Sequence, residues 1–263
     1  MTSDSRYLMY DNKLATISEV SKLLGLSPST LRRMEVEGEL TRYGLTVIYT
    51  PGGQRRYLFN PTRHLYSQQG FSAPLAFGQR PALLIRDLTI GFCTAESQLC
   101  VQLDDQLNAA RTLIETFAAQ GHPVIFSRTV YDPAHAFSAL WGEKFPAMRI
   151  LEAESHWIRK HEALANYAYD LELSTHYVSD LKASKLEAFL DRNRIDTVVL
   201  AGVTTSGSIR TNAIDLFQSG RRTVIPSEAV ADRTRPLQDF TLLDLNSRYA
   251  EVTTLSRTLA ELA

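Results

Sequence analysis

Apolar positions along the chain follow two rhythms. Over residues 14–59 they are short and helical: Ile17, Val20, Leu23 and Leu24 share one face behind a capping Thr16, and Gly25 breaks that helix. Ser27 then caps a second helix with Pro28 in its first turn and Leu31 turned inward, leaving Ser29, Thr30, Arg32 and Arg33 outward. LTVIYT, PGG and QRRYLF follow as strand, turn and strand, so this part predicts a small winged helix-turn-helix with the hairpin as its wing.

From Arg80 onward β-rich apolar runs alternate with longer amphipathic helices. The predicted order is a strand PALLIRD, a helix near 104–120, a strand HPVIFSR, a long irregular stretch, a helix LKASKLEAFLDRN and a strand TVVLAGV. A helix SIRTNAIDLFQSG, a strand RRTVIPS, a helix near 236–247, a short strand near 250–253 and a last short helix complete it. Strands joined by such helices need right-handed crossovers, which makes the fold class α/β, a three-layer, doubly wound, mostly parallel sheet preceded by the small winged domain. Between the two, PTRHLYSQQGFSAPLAFGQRP carries the prolines and glycines of a linker, with one helical turn near 63–68. The predicted organisation is 1–66 for the winged domain, 67–79 for the linker and 80–263 for the α/β domain. No internal repeat or low-complexity tract is visible.

Charge adds one asymmetry. The chain carries a net −1, yet residues 1–66 hold nine Lys and Arg against six Asp and Glu, and the remainder nineteen against twenty-three. A basic front segment suits a polyanion partner. No apolar run is long enough to span a membrane and the first residues lack a signal-peptide core, so a cytoplasmic protein without a membrane partner is expected. Cys93 and Cys100 have neither CxxC spacing nor neighbouring histidines, and they read as ordinary thiols with no metal site and no cofactor implied.

TISEVSKLLGLSPSTLRRMEVEGEL followed by TPGGQRRY resembles the DNA-binding unit of MerR-type regulators and excisionase-like proteins. The resemblance implies base contacts from Ser29, Thr30, Arg32 and Arg33 in the major groove of double-stranded DNA, and phosphate contacts from Arg55, Arg56 and Tyr57.

In open α/β sheets, ligands bind beyond the carboxyl ends of the strands. Two such ends carry chemistry here: Asp87 directly after ALLIR, and GVTTSGS after VVLA, which leads into a helix whose amides favour an anion or oxyanion. With AGVTTSGSIRTNAIDLF and GRRTVIPSEAVAD in order behind Asp87, the domain resembles the isochorismatase-like hydrolases, the cysteine hydrolase superfamily. The resemblance implies a triad of aspartate, lysine and cysteine and a cis peptide at Val203–Thr204. Asp87 matches the aspartate, Ser208 stands where the cysteine belongs, and no lysine matches: Thr175 and His176 precede YVSDLKASKL, and Lys182 and Lys185 fall past the position. Val203, Thr204, Thr205, His176, Trp141 and Tyr131 are candidate ligand contacts, with Arg86 and Phe92 as weaker ones.

A changed nucleophile and a missing lysine predict a catalytically degenerate domain. The leading expectation is therefore a DNA-binding transcriptional regulator whose second domain senses a small carbonyl or carboxylate metabolite and forms a homodimer or homotetramer. Two alternatives stay open: an active amide or ester hydrolase using Asp87 and Ser208, and an architectural DNA-binding factor.

Overall fold

The computed structural model describes residues 14–37, 39–59, 66, 69–182 and 185–262. The chain divides into two compact units, Met1–Ala73 and Pro74–Ala263. The helical turn expected near 63–68 lies almost wholly outside the described residues.

In the first unit, β1 (Leu14–Ala15) leads into α1 (Ile17–Leu24). Thr16 caps it by accepting from the Glu19 amide, and the Glu19 carboxylate accepts in turn from the Thr16 amide, a reciprocal capping box. Gly25 ends α1 in the left-handed region at φ +66°. Ser27 then caps α2 (Pro28–Val36) by accepting from the Thr30 amide. β2 (Leu45–Tyr49) and β3 (Arg55–Phe59) form the hairpin, and β1 pairs on the free edge of β3 in the order β1-β3-β2. Val20, Leu31, Met34, Leu40, Leu45 and Tyr57 fill the core, while Leu23, expected inside, is half exposed.

The second unit is built on a seven-stranded sheet whose pairings are all parallel. Its strands are β4 (Pro81–Arg86), β5 (Val124–Thr129), β6 (Leu171–Thr175), β7 (Thr197–Val203), β8 (Arg222–Pro226), β9 (Val230–Ala231) and β10 (Glu251–Thr253). The order is β10-β8-β7-β4-β5-β6, with β9 beside β7. The helices that cover it are α3 (Asp104–Ala119), α4 (Ala136–Lys144), α5 (Leu186–Arg192), α6 (Arg210–Gln218), α7 (Arg235–Arg248) and α8 (Leu255–Leu262).

Alternation along the strands separates two cores. Leu83, Ile85, Phe126, Val199 and Ala201 pack with Leu113 and Phe117 of α3. Ala82, Leu84, Ile125, Val198 and Leu200 pack on the opposite face with Leu190 of α5, Leu216 of α6 and Leu245 of α7. At about 1.5–3 kcal/mol per large apolar side chain, these two layers are the dominant favourable term. Arg86 follows Ala82 and Leu84 in the alternation, so a guanidinium enters the second core where an aliphatic group would be ordinary.

The second unit and the segment leading into it also depart from the sequence expectation. The stretch expected to be irregular contains α4 and the edge strand β6. The second half of the expected linker is tied to the second unit: the Leu75 amide donates to Glu251, Gly78 to Thr197, and Gln79 and Arg80 to Asp196. Among the described residues no helix is long and apolar enough to cross a membrane.

Candidate active site

The site forms at the carboxyl edge of the sheet, where β4, β5 and β7 end side by side. Asp87 follows β4 directly, at φ +57°. That conformation costs a non-glycine residue about 1–3 kcal/mol. It is held by the Asp87 amide donating to Ser127 O at 2.9 Å and by the carboxylate accepting from Thr129 N at 2.6 Å and Thr129 Oγ1 at 3.0 Å. Gly202 of β7 lies opposite, at φ +122°, and a Cβ there would stand 1.9 Å from Arg86 O. Only glycine lets the two strand ends approach this closely.

Behind Gly202 the Val203–Thr204 peptide is cis. A wide helical turn, Thr205–Ile209, then leads into α6. Thr204 O accepts from the amides of Gly207 and Ile209, and the Ser206 amide donates to Asp232 at 2.6 Å. The turn brings Ser208 over Asp87, with Ser208 Oγ 3.5 Å from Asp87 Oδ2. The hydroxyl of Thr205 is fully buried without a hydrogen-bond partner.

Among the described residues, the cation within ion-pair distance of Asp87 is Arg86, with Nε 3.3 Å from Oδ2. Its Nη1 lies 3.3 Å from Asp180 Oδ1 and donates to Ser127 Oγ at 3.1 Å. Its Nη2 donates to Thr129 Oγ1 at 2.7 Å and to Tyr177 O at 3.1 Å. Asp180 also accepts from the Ser127 hydroxyl and from Asn212 Nδ2 at 3.1 Å, and Asn212 Nδ2 reaches Ser208 O at 2.9 Å. Ser208, Asp87, Arg86, Asp180 and Asn212 thus close a ring of buried polar contacts.

Burial pushes the Asp87 carboxyl above the usual carboxylate range, with the Asp180 charge acting in the same direction against Arg86 and Thr129. A base of raised proton affinity is what a serine hydroxyl needs. Burial likewise pushes the Cys93 thiol up to about 12, so at neutral pH it is a protonated thiol and no competing nucleophile. Among the described residues no three His, Cys, Asp or Glu side chains come together as metal ligands.

The other ligand candidates are placed as follows. Val203 is buried in the apolar core. His176 follows β6, its Nδ1 2.9 Å from Val130 O and its ring 4.7 Å from that of His135. Trp141 packs on Phe137, which stacks on Tyr177. Tyr131 sits against Gly142, where a Cβ would meet its ring at 2.5 Å. Lys182 stands over the Tyr177 ring at 4.9 Å. In the first unit Ser29, Arg32 and Arg33 are exposed and Thr30 half-buried. Arg55 pairs with Glu35 and donates to Tyr49, and Arg56 donates to Gln54. Tyr57 corrects its expected surface role: it is fully buried at the centre of that unit's core.

Asp180, Asn212, Ser127 and Thr129 escaped the sequence reading. Arg86 was the one visible signal, a charged residue at a core position of a strand.

A model of the isochorismatase domain matches residues 81–257. The maleamate amidohydrolase of Pseudomonas putida is 33% identical over 190 residues, 72% of this chain and 89% of that protein. The N-carbamoylsarcosine amidase of an Arthrobacter species is 27% identical over 200 residues, 74% of this chain and 75% of that protein. A cysteine hydrolase structure from Pseudomonas syringae pv. phaseolicola superposes with a TM-score of 0.66 at 20% identity, over 70% of this chain and 92% of that one, a likeness of fold alone. The N-carbamoylsarcosine amidase structure from Thermoplasma acidophilum gives 0.58 at 25% identity, over 67% of this chain and 97% of that one. These names overturn the expectation of a DNA-binding transcriptional regulator with a degenerate second domain, since the relatives are amidohydrolases and back the hydrolase alternative.

Proposed function

Because this chain belongs to the isochorismatase family, we propose that its second unit hydrolyses the C–N bond of a small amide, with Ser208 as nucleophile and Asp87 as the acid and base. The observation that carries this reading is Ser208 Oγ facing Asp87 Oδ2 at 3.5 Å, on the turn after the cis Val203–Thr204 bond. A separation at the long end of hydrogen bonding is ordinary before substrate arrives.

As Ser208 Oγ bonds to the amide carbonyl carbon, its proton passes to Asp87. The C–N bond breaks and that proton leaves with the nitrogen, so ammonia or an amine departs and an acyl ester remains on Ser208. Water then adds to the ester carbonyl, giving a proton to Asp87. The acyl C–O bond breaks, Ser208 Oγ is reprotonated from Asp87, and a carboxylic acid is released. The small carbonyl compound expected from the sequence becomes the substrate.

For the first unit the same proposal assigns a winged helix-turn-helix of the MerR and excisionase type. Its support is the Gly25 turn between two side-chain-capped helices and the antiparallel β2–β3 hairpin.

Incubating the full chain with maleamate, N-carbamoylsarcosine and simple primary amides, and following amine or ammonia release, tests the function. Turnover should fall by about three orders of magnitude in Ser208→Ala and in Asp87→Asn. Release from none of these amides, or full activity in Ser208→Ala, defeats it.

A further inference from the structure

Three ionisable groups at the site are withdrawn from water: Arg86 and Asp180 are 0% exposed and Asp87 is 1% exposed. One guanidinium faces two carboxylates, so its charge cannot fully offset both. We infer that Asp180 is a positioning residue that sets how much of the Arg86 charge reaches Asp87, and with it the strength of Asp87 as a base. The inference rests on the hydrolase reading of Asp87 and Ser208 and adds to it the control of the base.

Hydrogen-bond geometry separates the two carboxylates. Asp180 is surrounded by donors to its charged form: the Ser127 hydroxyl, Asn212 Nδ2 at 3.1 Å, and Arg86 Nη1 in ion-pair contact at 3.3 Å. Asp87 takes its hydrogen bonds from Thr129 and, at 3.5 Å, from the Ser208 hydroxyl. Arg86 Nε lies 3.3 Å from it, yet that N–H makes no hydrogen bond. The directed bonds of Arg86 go instead to Ser127, Thr129 and Tyr177 O. Arg86 is therefore oriented by neutral groups between two carboxylates, each 3.3 Å away, and it acts on Asp87 across that gap and through the Thr129 hydroxyl, which accepts from Arg86 and donates to Asp87.

Among the described residues, the titratable groups facing Asp87 are Arg86 from β4, Asp180 from the segment after β6, and Cys93 from the helical turn Ile90–Cys93, whose thiol stays protonated at neutral pH. Of these, Asp180 alone adds negative charge. Neutralising it frees the guanidinium for Asp87 and removes a like charge, and both changes stabilise ionised Asp87. Asn212 adds a mechanical link, since the side chain that holds Asp180 also donates to Ser208 O.

The test is Asp180→Asn in the full chain. The amide keeps the shape and a carbonyl acceptor for Ser127 while removing the charge. Carbon-13 NMR of labelled aspartate carboxyls, with the Asp87 resonance assigned through Asp87→Asn, reads the Asp87 midpoint without turnover. It should fall by about one pH unit in Asp180→Asn. The acid limb of the kcat/KM profile should move the same way, and kcat at neutral pH should fall several-fold as the base weakens. An unmoved midpoint in a folded variant, with amides still hydrolysed, overturns the inference and leaves the hydrolase reading standing. A lowered midpoint with no amide turned over does the reverse. Should Asp180→Asn not fold, the unmodified chain decides: Asp180 must stay ionised over the range in which Asp87 titrates, and a neutral Asp180 beside an ionised Asp87 overturns the proposal.

Discussion

Two ion pairs in this molecule have the same length and different physics. Arg55 Nη2 of the first unit lies 3.3 Å from Glu35, and Arg86 Nη1 of the second lies 3.3 Å from Asp180. The first pair is a third to a fifth exposed and the second is fully buried. Water and salt reach the first pair from its exposed side and screen it more than the second, although Glu35 Oε2 itself is buried. The buried pair interacts in a low effective dielectric, and either member left alone would be a charge without a solvent. Separation therefore does not rank these contacts; burial does. The same burial is what raises the proton affinity of Asp87 in the second unit.

The largest expected effect tests that ranking. Arg86→Met leaves Asp180 buried beside a hydrocarbon, and the second unit should lose about 3–5 kcal/mol in chemical denaturation. Adding Asp180→Asn removes the stranded charge and should restore at least half of the loss. A neutral single variant would show that burial does not decide the value of the pair.

Asp87 sharpens the comparison through pH. Its carboxyl is raised in the folded state, so its contribution to stability is complete below the unfolded carboxylate value of about 4 and is lost as pH rises through the folded value. Asp87→Asn cannot titrate. The stability of that variant relative to the unmodified chain should climb from pH 4 toward neutrality, measured by urea midpoints across the range. An opposite slope would mean that Arg86 outweighs burial.

A smaller effect concerns Cys93. With its thiol near 12, alkylation by iodoacetamide at pH 7.5 should run at least tenfold slower than that of a free cysteine peptide, read by mass spectrometry. Fast labelling would place it in a polar setting. Smallest of all, Glu35→Gln should leave the unfolding midpoint of the first unit within experimental error, and 1 M salt should mimic it. A large loss there would erase the contrast between the two pairs.

The apolar runs of β4 and β7 were legible because a strand buried on both faces is hydrophobic without interruption. β6 was not, because LELST is an edge strand with Leu173 and Thr175 buried and its glutamate and Ser174 exposed, a weak signal amid polar sequence. Asp87 and Ser208 were legible as strand-end residues within motifs. The partnership of Arg86 with Asp180 and Asn212 was not, because it depends on the segment after β6 and on α6 meeting one face of the sheet, which no local pattern encodes. Tyr57 misled for a related reason: the period-2 alternation of β3 puts every second residue inward, and Tyr57 falls on that side between Arg56 and Leu58.

If Ser208 is the nucleophile, it carries an acyl ester during turnover. Rapid quenching of the reaction with a hydrolysed amide or its ethyl ester, followed by peptide mass analysis, tests it directly. The peptide containing Ser208 should carry the mass of the acyl group, and the adduct should be absent in Ser208→Ala. Steady turnover with no adduct on that peptide, and undiminished activity in Ser208→Ala, would contradict it.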